Sequence, residues 1–273
     1  MSDLDVARAR LAERGGLLGL PLTLQSSTTS TNDDAKRAAR EGAPHGACWV
    51  AETQSAGRGR QGRSWIGAPK SSLLFSVLLR APGAALERLS LLALVAGLAV
   101  RDAVAKATGR SDIGLKWPND VVASGAPGSA RKVAGILVES MVQGRQVEAV
   151  VVGIGVNVLS TELPTELADI ATSVALLRTD QGSPLASLRA DLLVDILAGL
   201  EAEADYVLAR GLGRIHARLR EADALQGKRV SQGPGQQGVA EGIDLDGRLC
   251  VRDDTGILHR WNAGEVHLGT GAR

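Results

Sequence analysis

Three arginines alternate with glycines in Gly57-Arg58-Gly59-Arg60-Gln61-Gly62-Arg63. Glycine leaves backbone N–H groups uncovered and arginine presents a planar fork of donors, so both can close on one anion. The chemistry this stretch supports is phosphate handling. A dinucleotide fingerprint requires a strand before its glycines and a helix after them. Gly67 and Pro69 block that helix, and the apolar run 73–79 resumes as strand, so the G-x-G-x-x-G match fails on context. A Walker-type loop fails in the same way, with Arg63 where its lysine should stand and no helix N-terminus to meet the phosphates.

Four more polar motifs stand out: Ser30-Thr31-Asn32, Lys116-Trp117-Pro118-Asn119-Asp120, Lys132 at a strand start, and Gly153-Ile154-Gly155-Val156-Asn157. Arg58, Arg60, Arg63, Lys116 and Lys132 put five cations into motifs of a chain whose net charge is only +1. Such a cluster suits a polyphosphate or the meeting of two anions. No Ser-His-Asp or Cys-His arrangement is visible, so the chemistry implied is positioning and charge neutralisation rather than a protein nucleophile. The four histidines have no metal-binding spacing, and the net charge gives no global case for nucleic acid or an anionic membrane as partner.

The elements that must position these residues are legible in outline. Helical spacing predicts a short helix over 3–14, and weak alternation a strand over 21–25. Thr31 with Asp34 reads as a capping box opening a helix to residue 40. Strands are expected over 47–52 and 73–79, flanking the arginine loop, and apolar residues three and four apart predict one core helix over 86–107. A short strand over 112–115 ends in the Lys116–Asp120 turn, which Pro118 stiffens by holding Trp117 extended. Residues 123–131 read as a loop, and 132–139 and 146–152 as a hairpin turning at 143–145. Residues 160–181 are polar and turn-rich, and helices follow over 185–208 and 212–220. Beyond 227 the pattern becomes all-β, with turn signals at Asp246-Gly247 and Thr255-Gly256.

A chain of 273 residues, 44% hydrophobic and 22% charged, has room for one large domain and a small one. Aromatics are 2%, so the core must be aliphatic. Cys48 and Cys250 lie far apart in strand-like patterns and read as buried thiols. The first twenty residues lack the apolar core of a signal peptide, and 89–100 is too short to span a bilayer, which points to a cytoplasmic protein with no membrane partner.

Taken together and in order, Ser30-Thr31-Asn32, the arginine loop, Lys116–Asp120, Lys132-Val-Ala-Gly135-Ile-Leu-Val-Glu139 and Gly153-Ile-Gly-Val-Asn157 resemble the biotin protein ligases. The resemblance implies an α+β fold: a mixed-sheet catalytic domain of the biotin/lipoate ligase type over residues 1–224, and a small C-terminal SH3-like β-barrel over 225–273. It implies activation of biotin with MgATP to biotinyl-5′-AMP and pyrophosphate, then transfer to a lysine of a biotin carboxyl carrier domain. On these matches Ser30, Thr31, Asn32, Gln54, Gly59 and Gly135 fall on biotin-binding positions. Arg58, Arg60 and Lys132 fall on biotin-binding and catalytic ones, Lys132 bridging carboxylate and phosphate. Arg60, Arg63, Trp65, Lys116, Asn119 and Asn157 fall near the nucleotide, and Asp120 is the candidate support for Mg2+.

Some members of that family carry an N-terminal winged helix. There is no room for one before residue 30, so a ligase without DNA binding is expected, and a homodimer is compatible with the sequence. The segment before Lys132 is extended by Ala, Gly, Ser and Pro, and Gln61 stands where a basic residue is common. Three alternatives stay open: a same-fold ligase acting on lipoate, a non-catalytic biotin sensor, and a generic anion-binding protein.

Overall fold

The computed structural model describes residues 3–65, 67, 69–125, 129–144, 146–179 and 185–269. In chain order the first half gives α1 (Asp3–Arg14), β1 (Leu22–Gln25), α2 (Thr31–Arg40), β2 (Cys48–Ala51) and β3 (Ser72–Leu79). Then come α3 (Leu86–Leu89), α4 (Leu91–Thr108), β4 (Ile113–Lys116), β5 (Asp120–Ser124), β6 (Ala130–Gln143) and β7 (Gln146–Asn157). These strands form one seven-stranded sheet in the order β1-β2-β3-β7-β6-β5-β4. Among the described residues only the β1–β2 strand pair is parallel, so the sheet is mixed.

Both faces of the sheet are covered, which explains why every residue of β3 is buried. On one face lies α4, whose residues are apolar almost all round. It packs against α6 (Leu188–Arg210), which follows the short α5 (Val174–Leu177). On the other face α2 lays Ala35 and Ala39 against Trp49, Leu78, Ala149 and Val151, a smaller aliphatic core. The small side chains of α2 let it sit close to the strands, and that closeness brings its N-terminus over the sheet.

Several expectations are corrected. The helix over 86–107 breaks after Leu89 and continues to Thr108, where Gly109 takes a left-handed φ of 69° and its N–H closes on Ala105 O. Residues 120–124 are a strand rather than the approach to a loop, because hydrogen bonding to β6 recruits them; 126–128 lie outside the described residues. The turn at 143–145 loses Arg145 in the same way. The capping box is not formed: no side chain caps α2, Asp34 accepts instead from Thr28 Oγ1 (2.6 Å) and Arg37 (2.6 Å), and the Thr31 N–H donates to Gln54 Oε1 (2.8 Å). The last two helices start later than expected, at Leu188 and, for α7 (His216–Ala222), at His216.

After α7 the chain enters a second sheet, five antiparallel strands in the order β11-β10-β9-β8-β12. These are β8 (Arg229–Gly233), β9 (Gln236–Ile243), β10 (Leu249–Arg252), β11 (Leu258–Trp261) and β12 (His267–Leu268). Both expected turns, at Asp246-Gly247 and Thr255-Gly256, connect its strands. Two polar struts tie this sheet to what precedes it: Trp117 Nε1, in the turn after β4, donates to Gly247 O (2.9 Å), and His216 Nε2, at the start of α7, lies 2.7 Å from Ile243 O.

At the junction, burial pushes the Asp223 carboxyl up to about 6 against the pull of the Leu225 and Gln226 N–H groups and Lys228. A carboxyl raised in the folded state stabilises fully below its ordinary value of 3.8, and that contribution is lost as pH rises through about 6. Asp223→Asn keeps the acceptor for the Leu225 N–H and removes the charge. The variant is expected to gain on the order of 2 kcal/mol over the parent at pH 7 and little at pH 4. Thermal midpoints at both pH values check this, and an equal offset at the two would reject it.

Candidate active site

The register of the central strands builds a glycine floor. In one row across the sheet Ser76, Gly153 and Leu137 lie opposite one another, and in the next Leu74, Gly155 and Gly135. Opposed residues of antiparallel strands share a face. Over the first row stands Asn32, near enough that a methyl on Gly153 would lie 2.1 Å from its Oδ1. Over the second lies the Trp65 indole, 2.6 Å from where a Gly155 methyl would be and 2.9 Å from one on Gly135. The absent side chains are therefore the space the cleft occupies.

The walls are the sequence motifs. Ser30, Thr31, Asn32, Gln54, Arg58, Gly59, Arg60, Arg63, Trp65, Lys116, Asn119, Asp120, Lys132 and Gly135 all line one cleft. Asn157 is the exception: at the last position of β7 its amide donates to Thr172 O (3.1 Å), and it is not among the lining residues. The strap 170–172 explains this, since Lys132 N donates to Ile170 O (2.8 Å) and Thr172 N to Lys132 O (2.8 Å) alongside it.

The small polar residues are bonded to one another. The Ser76 hydroxyl reaches Asn32 Oδ1 (2.5 Å) and Thr31 Oγ1 (2.7 Å), and Asn32 Nδ2 donates to Glu139 Oε2 (2.7 Å) and weakly to Leu137 O (3.4 Å). Both amide hydrogens of Asn32 are thus taken, and the residue shapes a wall rather than offering donors. Asn119 is fixed by Nδ2 donating to Ile136 O (2.9 Å), while its Oδ1 accepts from Arg60 (3.3 Å).

The cations divide into two groups. Arg58 binds Asp33 and Glu139, Arg63 pairs with Glu265 of the second sheet's final turn, and Lys132 Nζ lies 2.7 Å from Asp120 and 5.3 Å over the Trp65 ring. Arg60 and Lys116 form no ion pair among the described residues. Burial lowers the pKa of both, with Asp120 acting the other way; Lys132 and Arg63 press further on Lys116, and Arg63 on Arg60. A desolvated cation without a counter-ion is costly, so this corner of the cleft is built for an anion.

Sequence reasoning missed Asp33, Lys36, Ser76, Glu139 as a ligand of other side chains, and the roof residues Gly264, Glu265 and Val266. Ser76 was detectable as the one hydroxyl in the apolar run 73–79, and Glu139 as the acid closing the run 132–139.

Residues 23–157 match the model of the biotin/lipoate A/B protein ligase family, and 232–269 that of the biotin protein ligase C-terminal domain. A biotin–[acetyl-CoA-carboxylase] ligase of Mycobacterium tuberculosis is 36% identical over 98% of this chain and 100% of its own. The chain belongs to the biotin protein ligase family. A bifunctional ligase/repressor of Bacillus spizizenii is 33% identical over 97% of this chain and 79% of its own length. Among solved structures, the Aquifex aeolicus biotin protein ligase in complex with biotin and ATP has a TM-score of 0.72 at 26% identity, over 91% of this chain and 98% of that one. The mixed sheet with a separate five-stranded C-terminal sheet is the architecture of this family, its small unit SH3-like. No helix among the described residues is long and apolar enough to cross a membrane.

Proposed function

We propose that this cleft joins biotin to ATP on the glycine floor and hands the product to a carrier lysine. The observation that carries the reading is the pair of half-buried cations, Arg60 and Lys116, left without carboxylates beside the Lys132–Asp120 pair in a ligase-family cleft.

In the reaction, a biotin carboxylate oxygen attacks the α-phosphorus of ATP, the bond to the bridging oxygen breaks, and pyrophosphate leaves. The carrier lysine amine then attacks the acyl carbon of the mixed anhydride and AMP departs with its bonding pair. The first step presses two anions together: at about 4 Å this costs roughly 4 kcal/mol at an effective dielectric near 20. Lys132, already in the cleft, turns from Asp120 to lie between carboxylate and phosphate and offsets that repulsion. Arg60 and Lys116 take the remaining phosphates, with Arg63 beside them, and Trp65 and Asn119 border the nucleotide. Ser30, Thr31, Asn32, Gln54 and Gly135 enclose biotin.

Among the described residues no three metal-ligating side chains converge. A single carboxylate, Asp120, amid cations suits Mg2+ that arrives on the nucleotide's own phosphates, since that ion is commonly held by one or two carboxylates together with the substrate. The same reading divides the chain into a catalytic unit of residues 1–224 and an SH3-like unit of 225–273, supported by the change of sheet. The partner is the biotin carboxyl carrier domain of a carboxylase, supported by the names of the relatives.

The test is pyrophosphate release from MgATP with biotin, repeated with lipoate, then with an apo carrier domain. Biotin-dependent release followed by labelling of one carrier lysine is expected. Release with lipoate alone would replace the substrate, and biotin binding without release would reduce the protein to a sensor.

A further inference from the structure

Arg58 and Arg60 are the loop arginines that the family resemblance places over the adenylate and its phosphate, yet the Arg58 guanidinium is already engaged. Its two Nη atoms donate to the two oxygens of Asp33 at 2.5 and 2.7 Å, and Nη2 also reaches Glu139 Oε2 at 3.2 Å. This fork-to-fork geometry is the strongest an arginine makes with a carboxylate. Asp33 lies in the first turn of α2 and Glu139 on β6, so the acids belong to the scaffold and the arginine to the loop.

Lys36 closes the acids from the other side, its Nζ 3.0 Å from Asp33 and 2.8 Å from Glu139. Two carboxylates against Lys36 alone leave one uncompensated negative charge; with Arg58 docked the cluster is neutral. Both carboxyls lie below the ordinary range: the Arg58 hydrogen bond leads for Asp33, whereas for Glu139 burial pushes upward and the hydrogen bonds from Lys36 and Asn32 outweigh it, with Arg58 adding only its charge. The loop passes the restraint on, because Gly59 N donates to Arg63 O (2.6 Å) and Trp65 N to Gly57 O (2.9 Å), folding it into a short bridge. Glu139 meanwhile holds Asn32 in the cleft wall.

We propose that Asp33 and Glu139 are positioning residues that clasp the 57–63 loop through Arg58, so that Arg58 retains the biotinyl adenylate by holding the loop shut. The phosphate is then left to Arg60, Lys116 and Lys132. The retention half of this rests on the ligase reading; the clasp itself does not.

Trypsin separates the two, since the loop carries its own cleavage sites. In the ligand-free chain Asp33→Asn and Glu139→Gln, which keep shape and lose charge, are expected to raise cleavage after Arg60 and Arg63 about tenfold, the weight of one charge-assisted pair. Unchanged cleavage in both overturns the clasp. For retention, preformed biotinyl adenylate is expected to leave Asp33→Asn about tenfold faster than the parent, with a larger change in release than in formation. The decisive comparison is the cycle of Arg58→Ala with Asp33→Asn. If Arg58 retains the adenylate through the clasp, Asp33→Asn adds little leak once Arg58 is alanine; losses that add in full return Arg58 to the phosphate and overturn the proposal. A parent protein that releases no pyrophosphate with biotin would sink the ligase reading while the proteolysis result still decided the clasp.

Discussion

Replacing Lys132 with alanine is expected to slow biotin-dependent pyrophosphate release by about 10²- to 10³-fold, the usual cost of removing one preorganised charge from a developing transition state. Biotin affinity should change little by comparison. The residues enclosing biotin are held by Ser76, Gln54 and Glu139, none of which bonds Lys132. The variant also strands Asp120, whose partner at 2.7 Å disappears, leaving a carboxylate where phosphate must come. Part of the loss is therefore repulsion from Asp120 rather than missing attraction from Lys132. Removing Asp120 as well, in Lys132→Ala with Asp120→Ala, relieves that repulsion but also takes away the support for Mg2+, so any net recovery of rate sets a lower bound on the repulsion. Single-turnover pyrophosphate release and calorimetric biotin titration read the two quantities separately. Release at the parental rate in Lys132→Ala would end the role assigned to it.

Much of this was legible because local rules and tertiary demands coincide. The loop's glycines forbid a following helix, β6 and β7 pair as the hairpin expected of them, and Asp246-Gly247 makes the turn it advertises. Where they part, a distant partner decides. The Thr31–Asp34 box is locally sound, but Gln54, from the loop after β2, takes the helix's first N–H and frees Asp34 for Thr28. The break at Ser90 separates two helical stretches that share one apolar spacing. The family resemblance places Asn157 near the nucleotide, and the strap at 172 takes its amide. The resemblance sends Arg58 over the adenylate, and nothing local announces that Asp33 and Glu139 reach it from two other elements. Glu265, which pairs with Arg63, comes from the far end of the chain. Residue type announces the chemistry; which ions meet depends on strand register and on the docking of the second sheet, and neither has a local signature.

Strand register also predicts the largest loss of biotin binding, at a residue with no functional atoms. Gly153→Ala adds one methyl, 2.1 Å from Asn32 Oδ1, 2.8 Å from its Cγ and 3.0 Å from Nδ2. No real Cβ sits so close, so Asn32 must leave. It cannot leave cheaply: its carbonyl holds the Ser76 hydroxyl and its amide holds Glu139, both partly or wholly buried. Losing two such bonds costs roughly 3 kcal/mol, and biotin affinity should fall by about 10²-fold as the wall of the cleft moves. Stability should also drop, by about 1–3 kcal/mol, as for other overpacked sites. Gly155→Ala provides the contrast, because its methyl meets the Trp65 indole, on a loop, and leaves Asn32 untouched. A cycle with Asn32→Ala isolates the cause. If the clash is the mechanism, Gly153→Ala adds almost nothing once Asn32 is already alanine, since the methyl then has room. Equal losses from Gly153→Ala in the presence and absence of the Asn32 side chain would instead mean that the glycine meets biotin directly, and that the floor, rather than the wall, sets the affinity.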